Sequence, residues 1–75
     1  MDTSQSETQL RHAKIDLMTK SVFLSTICLS LKHQFTEDIS TAATNGLSII
    51  YNPEFLEGLT AQERTGLLAH EVWHV

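Results

Sequence analysis

Two histidines and a glutamate in the C-terminal part of this 75-residue sequence have the spacing of a metal site. His70 and His74 are four positions apart, and Glu71 directly follows His70. In an α-helix, positions four apart lie about 40° apart around the axis and one turn apart along it, so the two imidazoles point in nearly the same direction. Imidazole nitrogen is a common ligand of Zn²⁺, which prefers a tetrahedron of four ligands. The pair therefore predicts two protein ligands of one zinc ion.

Glu71 has a different predicted role in the same site. It lies about 100° around the helix from His70, which is too far for it to bind the ion alongside both histidines. A carboxylate there can reach a water molecule activated by zinc and accept its proton. The order His-Glu-x-x-His thus predicts two metal ligands and a catalytic general base. Two solvated histidines beside a surface glutamate are the alternative interpretation.

The remaining histidines and the single cysteine lack partners at ligand spacing. His12 and His33 have no second ligand at a fixed offset, so we expect them at the surface or at helix ends rather than on a metal. Cys28 cannot form an intrachain disulfide, because it is the one cysteine of the sequence. It lies in an apolar run, which predicts a small buried hydrophobic side chain.

The segment that carries the motif is a predicted helix from Ala61 through at least His74. Thr60 followed by Glu63 forms a capping box at its start. Its apolar residues form an arc about 80–140° away from the histidines, so burial and metal binding use neighbouring faces; these residues are Ala61, Leu68, Val72 and Val75. Gly66 costs about 1 kcal/mol in a helix relative to alanine. Close approach of another backbone would explain a glycine at this position, but so would neutral sequence drift.

Two further predicted elements precede this helix. Residues 9–35 contain neither glycine nor proline, and Leu17, Leu24, Ile27, Leu31 and Phe35 keep three- and four-residue steps, which predicts one long helix after a disordered tail at residues 1–8. A strand at residues 22–24 is a minor alternative. Asn45-Gly46 lies between the β-prone runs 39–44 and 47–51, which predicts a β-hairpin. A short helical turn at residues 53–57, ended by Gly58, then leads to the last helix.

The second strand of the hairpin has two possible roles. Residues 49–51 could form an edge strand beside the metal and pair with an extended peptide through main-chain hydrogen bonds. An ordinary hairpin that covers the long helix fits the same residues equally well.

Composition excludes several function classes. The formal net charge is −4 and the five cationic residues are spread along the chain, which argues against nucleic-acid binding. No basic segment followed by an apolar one marks a signal peptide. The longest apolar stretch, residues 21–31, is far shorter than the roughly 20 residues that span a bilayer. We therefore predict a cytoplasmic protein that binds neither nucleic acid nor membrane.

Several ordered blocks resemble the bacterial and phage metallopeptidase domain that is often joined to a von Willebrand factor A-like domain. The resemblance covers about residues 10–75, and its blocks are Ala42-Ala43-Thr44-Asn45-Gly46, Tyr51-Asn52-Pro53-Glu54-Phe55, Leu59-Thr60 and residues 67–74. It implies an α+β, zincin-like fold and zinc-dependent hydrolysis of peptides or proteins. By the same resemblance, His70 and His74 are the zinc ligands and Glu71 is the catalytic acid/base.

The sequence departs from that family at Val75, one residue after His74. Members of the family continue this helix and supply a presumed third ligand. We therefore expect residues 9–75 to be the N-terminal part of a truncated domain that binds zinc weakly and does not hydrolyse peptides alone. Its expected partner is the missing C-terminal part of the domain, or another protein that covers the apolar helix. A non-catalytic helix–hairpin–helix interaction module is the alternative function.

Overall fold

The computed structural model describes residues 2–74 as an α+β domain. In chain order the elements are α1 (Ser4–Lys20), α2 (Val22–Ser30), β1 (Lys32–Phe35), β2 (Ala42–Thr44), β3 (Ser48–Tyr51), α3 (Pro53–Glu57) and α4 (Ala61–Trp73). The strands form one sheet in the order β1-β3-β2, with β1 parallel and β2 antiparallel to β3. The predicted α+β class is confirmed, while several element bounds differ from those expected.

The prediction of one long helix over residues 9–35 is wrong, because the chain breaks at Ser21. Ser21 has extended backbone angles (φ −156°, ψ 109°), and its side-chain oxygen accepts a hydrogen bond of 3.1 Å from the backbone N–H of Leu24. Serine is a preferred helix N-cap because its oxygen satisfies a backbone donor that the first turn leaves free. Ser21 therefore ends α1 and begins α2.

The N-terminal residues 4–8, assigned above to a tail, form the first turns of α1. Ser6 is fully buried there, and its hydroxyl donates a 2.7 Å hydrogen bond to Glu57 Oε2. This bond joins the start of α1 to α3. A polar composition alone predicts a solvated tail, because it does not reveal such a distant acceptor.

Residues 32–35 lie in strand β1 rather than in a helix. β1 pairs in parallel with β3, with His33 opposite Ile49 and Phe35 opposite Tyr51. The three- and four-residue steps that include Phe35 are therefore not helical there. A parallel partner lies far along the chain, so local spacing does not predict it.

The hairpin predicted at Asn45-Gly46 is confirmed, since β2 and β3 pair antiparallel around it. Gly46 has φ +91°, which glycine adopts readily because it lacks a Cβ atom. Asn45 Oδ1 accepts from the backbone N–H groups of Leu47 (3.0 Å) and Ser48 (2.9 Å). Of the two roles considered for residues 49–51, the edge strand is excluded. β3 is the central strand and uses both sides for pairing, so no extended peptide can add to it.

The core consists of buried side chains from helices α1 to α4 and from strand β3. The buried apolar residues are Leu10, Ala13, Leu17, Cys28, Ile49, Tyr51, Leu56, Leu68 and Val72. The predicted burial of Cys28 is confirmed. Of the apolar arc predicted on the last helix, Leu68 and Val72 are buried and Ala61 is exposed, while Val75 lies outside the described residues.

The outer face of α2 is apolar and open to solvent. Val22, Phe23 and Leu29 are 77%, 67% and 59% exposed. Within residues 2–74, no helix combines the length and the apolar character that crossing a bilayer requires.

Candidate metal-binding helix

A capping box determines where α4 begins. Thr60 Oγ1 accepts a 3.1 Å hydrogen bond from the backbone N–H of Glu63, and Glu63 Oε1 accepts a 2.9 Å bond from the backbone N–H of Thr60. The predicted capping box is confirmed, as is the short helical turn at residues 53–57 that precedes it. The cap fixes where α4 begins, and the burial of Leu68 and Val72 shows which face of the helix packs on the core.

Polar contacts to α1 and α3 hold α4 in place. Thr65 Oγ1 donates a 2.9 Å hydrogen bond to Asp16 Oδ2, which also receives Lys20 Nζ at 3.0 Å. The hydrogen bond from Lys20, followed by that from Thr65, lowers the pKa of Asp16. Arg64 Nη1 donates to the backbone carbonyls of Leu56 (3.1 Å) and Leu59. The first half of α4 is therefore attached to two other helices.

The two motif histidines lie together at the exposed C-terminal end of α4. The helix ends at Trp73, one residue earlier than expected, and His74 is its C-cap (φ −88°, ψ 0°). Both imidazoles are exposed. Their ring centroids are 4.4 Å apart with the ring planes at 69°, so the two rings are in edge-to-face contact.

Glu71 is less exposed than the two histidines that flank it in the motif. It is half-buried, whereas His70 and His74 are open to solvent. Burial raises the pKa of Tyr51, and the neighbouring Cys28 and the carboxylate of Glu71 raise it further. The Glu71 carboxylate thus disfavours ionisation of the buried Tyr51 hydroxyl, while it keeps part of its own surface in water.

The donor set fits part of a metal site. Two adjacent imidazoles supply the type of nitrogen ligand that zinc prefers. Within residues 2–74, however, no group of three or more His, Cys, Asp or Glu side chains is arranged to hold a metal ion. Catalytic zinc sites normally have three protein ligands and one open position. The described part of the motif thus offers two candidate ligands, His70 and His74.

The sequence matches a known protein family over nearly its whole length. The family model described as "Putative metallopeptidase domain" matches residues 5–75. The chain belongs to this family. Its description implies metal-dependent cleavage of peptide bonds, and the resemblance inferred from the ordered blocks is confirmed. No curated protein and no solved structure matches this chain.

One structural feature of this metallopeptidase-family chain was not anticipated from its sequence. His33 was expected at the surface or at a helix end, and that prediction is wrong. It lies half-buried on β1, with Nδ1 3.0 Å from Tyr51 Oη and Nε2 2.9 Å from the carbonyl oxygen of Cys28. No sequence motif marks this arrangement, because it depends on the pairing of β1 with β3. His12 is exposed, as expected.

Gly66 does not have the packing role considered for it. A Cβ atom at Gly66 would meet no atom within 4 Å. Within residues 2–74, close approach of another backbone is therefore the wrong explanation for this glycine, and no contact there requires it.

Proposed function

We propose that this domain contributes the zinc-binding helix of a metallopeptidase, with His70 and His74 as ligands and Glu71 as general base. The observation that carries the proposal is the 4.4 Å separation of the two imidazole centroids at the exposed end of α4. Membership of a family described as a metallopeptidase domain supports the reaction class. The zincin-like fold and the peptide or protein substrate are part of the same proposal.

Each residue of the motif has a distinct task in this proposal. Zinc, when bound, polarises the peptide carbonyl and acidifies water. His70 and His74 hold the ion through neutral ring nitrogens. Glu71, half-buried beside them, accepts a proton from the attacking water and returns it to the leaving amine. Because β3 is central in the sheet, an extended substrate would pair with an outer edge, on β1 or β2.

The number of available ligands sets the expected activity. The described residues provide two imidazoles where a catalytic site normally has three protein ligands. We therefore expect the 75-residue chain to bind zinc weakly and to hydrolyse no peptide by itself. If this polypeptide hydrolysed a peptide and Glu71→Gln abolished that hydrolysis, the expectation of inactivity would be wrong.

Zinc titration tests the ligand assignment directly. Calorimetry at neutral pH should give about one zinc per chain, and His74→Ala should remove the binding because one imidazole is a poor ligand by itself. Glu71→Gln should retain it, since Glu71 is assigned as base and not as ligand. His12→Ala is the matched control, because His12 is an exposed histidine on α1, outside the motif. Equal losses from His12→Ala and His74→Ala would refute the assignment.

A non-catalytic interaction module is the second candidate function, and the exposed face of α2 favours it. Val22 and Phe23 leave most of their apolar surface in water, which is typical of a surface that docks on a partner. On this proposal the partner is the remainder of the domain or another protein, in the cytoplasm. Partner binding that survives His74→Ala but is lost in Phe23→Gln would favour the module, and the reverse pattern would favour the metallopeptidase.

A further inference from the structure

His33 links three elements through hydrogen bonds that the proposed metal chemistry does not use. Its ring stacks beside Tyr51 at a centroid distance of 6.0 Å, with only 10° between the ring planes. Nδ1 lies 3.0 Å from Tyr51 Oη, and Nε2 lies 2.9 Å from the carbonyl oxygen of Cys28. The imidazole on β1 therefore bridges α2 and β3. Tyr51 is 1% exposed, so its hydroxyl depends on protein partners.

The partners of His33 determine its tautomer. The carbonyl oxygen of Cys28 can only accept a hydrogen bond, so Nε2 must carry the hydrogen. In a neutral imidazole Nδ1 then has none, and it accepts from the hydroxyl of Tyr51. The neutral ring thus satisfies both partners, with Tyr51 donating to Nδ1 and Nε2 donating to Cys28.

Protonation of His33 conflicts with this arrangement. A hydrogen on Nδ1 would face the hydroxyl of Tyr51, which would have to turn its own hydrogen elsewhere. Among residues 2–74, His33 is the hydrogen-bond partner found for Tyr51 Oη. A buried hydroxyl that loses its acceptor is destabilising. We propose that His33 is an acid-sensitive latch from β1 onto β3: the neutral ring accepts the hydrogen bond of Tyr51, and the protonated ring cannot, although Nε2 still donates to Cys28.

The surroundings of His33, taken together, favour its neutral form. Burial lowers the pKa of His33 below its ordinary 6.5, and Lys14 on α1 lowers it further, against the opposing effect of the Cys28 carbonyl. Burial raises the pKa of the Cys28 thiol on α2, which keeps it neutral. Glu7 and Asp38 border the open groove beside His33. The carboxylate of Glu71 on α4 contributes to the raised pKa of Tyr51.

The sign of the pH effect follows from the lowered pKa. In the unfolded chain His33 takes up a proton near pH 6.5, before the folded protein does. The contribution of the latch to stability is therefore complete above pH 6.5 and is lost as the pH falls from there through the folded pKa. The inference does not depend on the metal or on the proposed function.

A nitrogen NMR titration of the imidazoles tests the latch. At pH 7.5 the His33 signals of the 75-residue protein should show hydrogen on Nε2, and the titration midpoint should lie below 6.5. Tyr51→Phe removes the donor to Nδ1, so it should raise the midpoint. The signals of the exposed His12 in the same spectra are the control for general effects of the substitution. A His33 midpoint at or above 6.5, or one that Tyr51→Phe leaves unchanged, would overturn the proposal.

Urea unfolding provides a second measurement with His33→Gln, which lacks the titratable ring. The wild-type midpoint should exceed that of His33→Gln at pH 7.5, and the difference should shrink at pH 5.5. An equal difference at the two pH values would refute the latch, since a purely structural histidine stabilises the fold equally at both.

Discussion

At the scale of single residues, substitution by alanine is expected to have opposite effects on stability at two glycines. Gly66 lies within α4 with no atom near its missing Cβ, whereas Gly46 adopts φ +91° in the hairpin turn. We predict that Gly66→Ala stabilises the protein by about 1 kcal/mol, because alanine is the better helix former by that amount. Gly46→Ala should destabilise it by about 1–2 kcal/mol, the cost of a left-handed conformation for an L-residue.

Urea denaturation of the two glycine variants checks this pair of predictions. The substitution is chemically identical, so each variant is the control for the other. A destabilising Gly66→Ala would show that a neighbour approaches the helix there after all.

At the scale of elements, one serine separates two helices that the apolar spacing joins. Ser21 caps α2 through its hydrogen bond with Leu24. Ser21→Ala should therefore lower the free energy of unfolding by about 1 kcal/mol, the usual loss for an N-cap. Ser30→Ala is a suitable control, because Ser30 is an exposed residue at the other end of α2. Its effect should stay within about 0.5 kcal/mol, and equal effects of the two substitutions would contradict a capping role for Ser21.

At the scale of the whole molecule, the motif depends on the core beneath it. Leu68, two residues before His70, is 1% exposed. Leu68→Ala should cost about 2–5 kcal/mol through lost burial and an unfilled cavity. Domains of this size have small stability margins, so the variant should be largely unfolded. Circular dichroism should record the loss of helix, and zinc binding should weaken with it.

A large apolar residue on the surface provides the comparison for Leu68. Phe23 is 67% exposed on α2, so Phe23→Ala should change the free energy of unfolding by no more than about 0.5 kcal/mol. A loss as large as that of Leu68→Ala would mean that the α2 face is covered by another part of the protein in solution.

The sequence by itself determined the features that depend on neighbours within a few positions. The capping box at Thr60, the hairpin at Asn45-Gly46 and the helical spacing of His70 and His74 all rest on bonds or turns spanning two to four residues. Such interactions are encoded locally, and the family resemblance followed from the same blocks.

Only the tertiary structure decided the features that join distant segments. Because β1 pairs in parallel with β3, Phe35 lies in a strand instead of the predicted helix, and β3 is the central strand of the sheet. The same pairing brought His33 to Tyr51, 18 positions away. Local sequence patterns do not predict these pairings, because the partner of a strand is determined by how the whole chain packs.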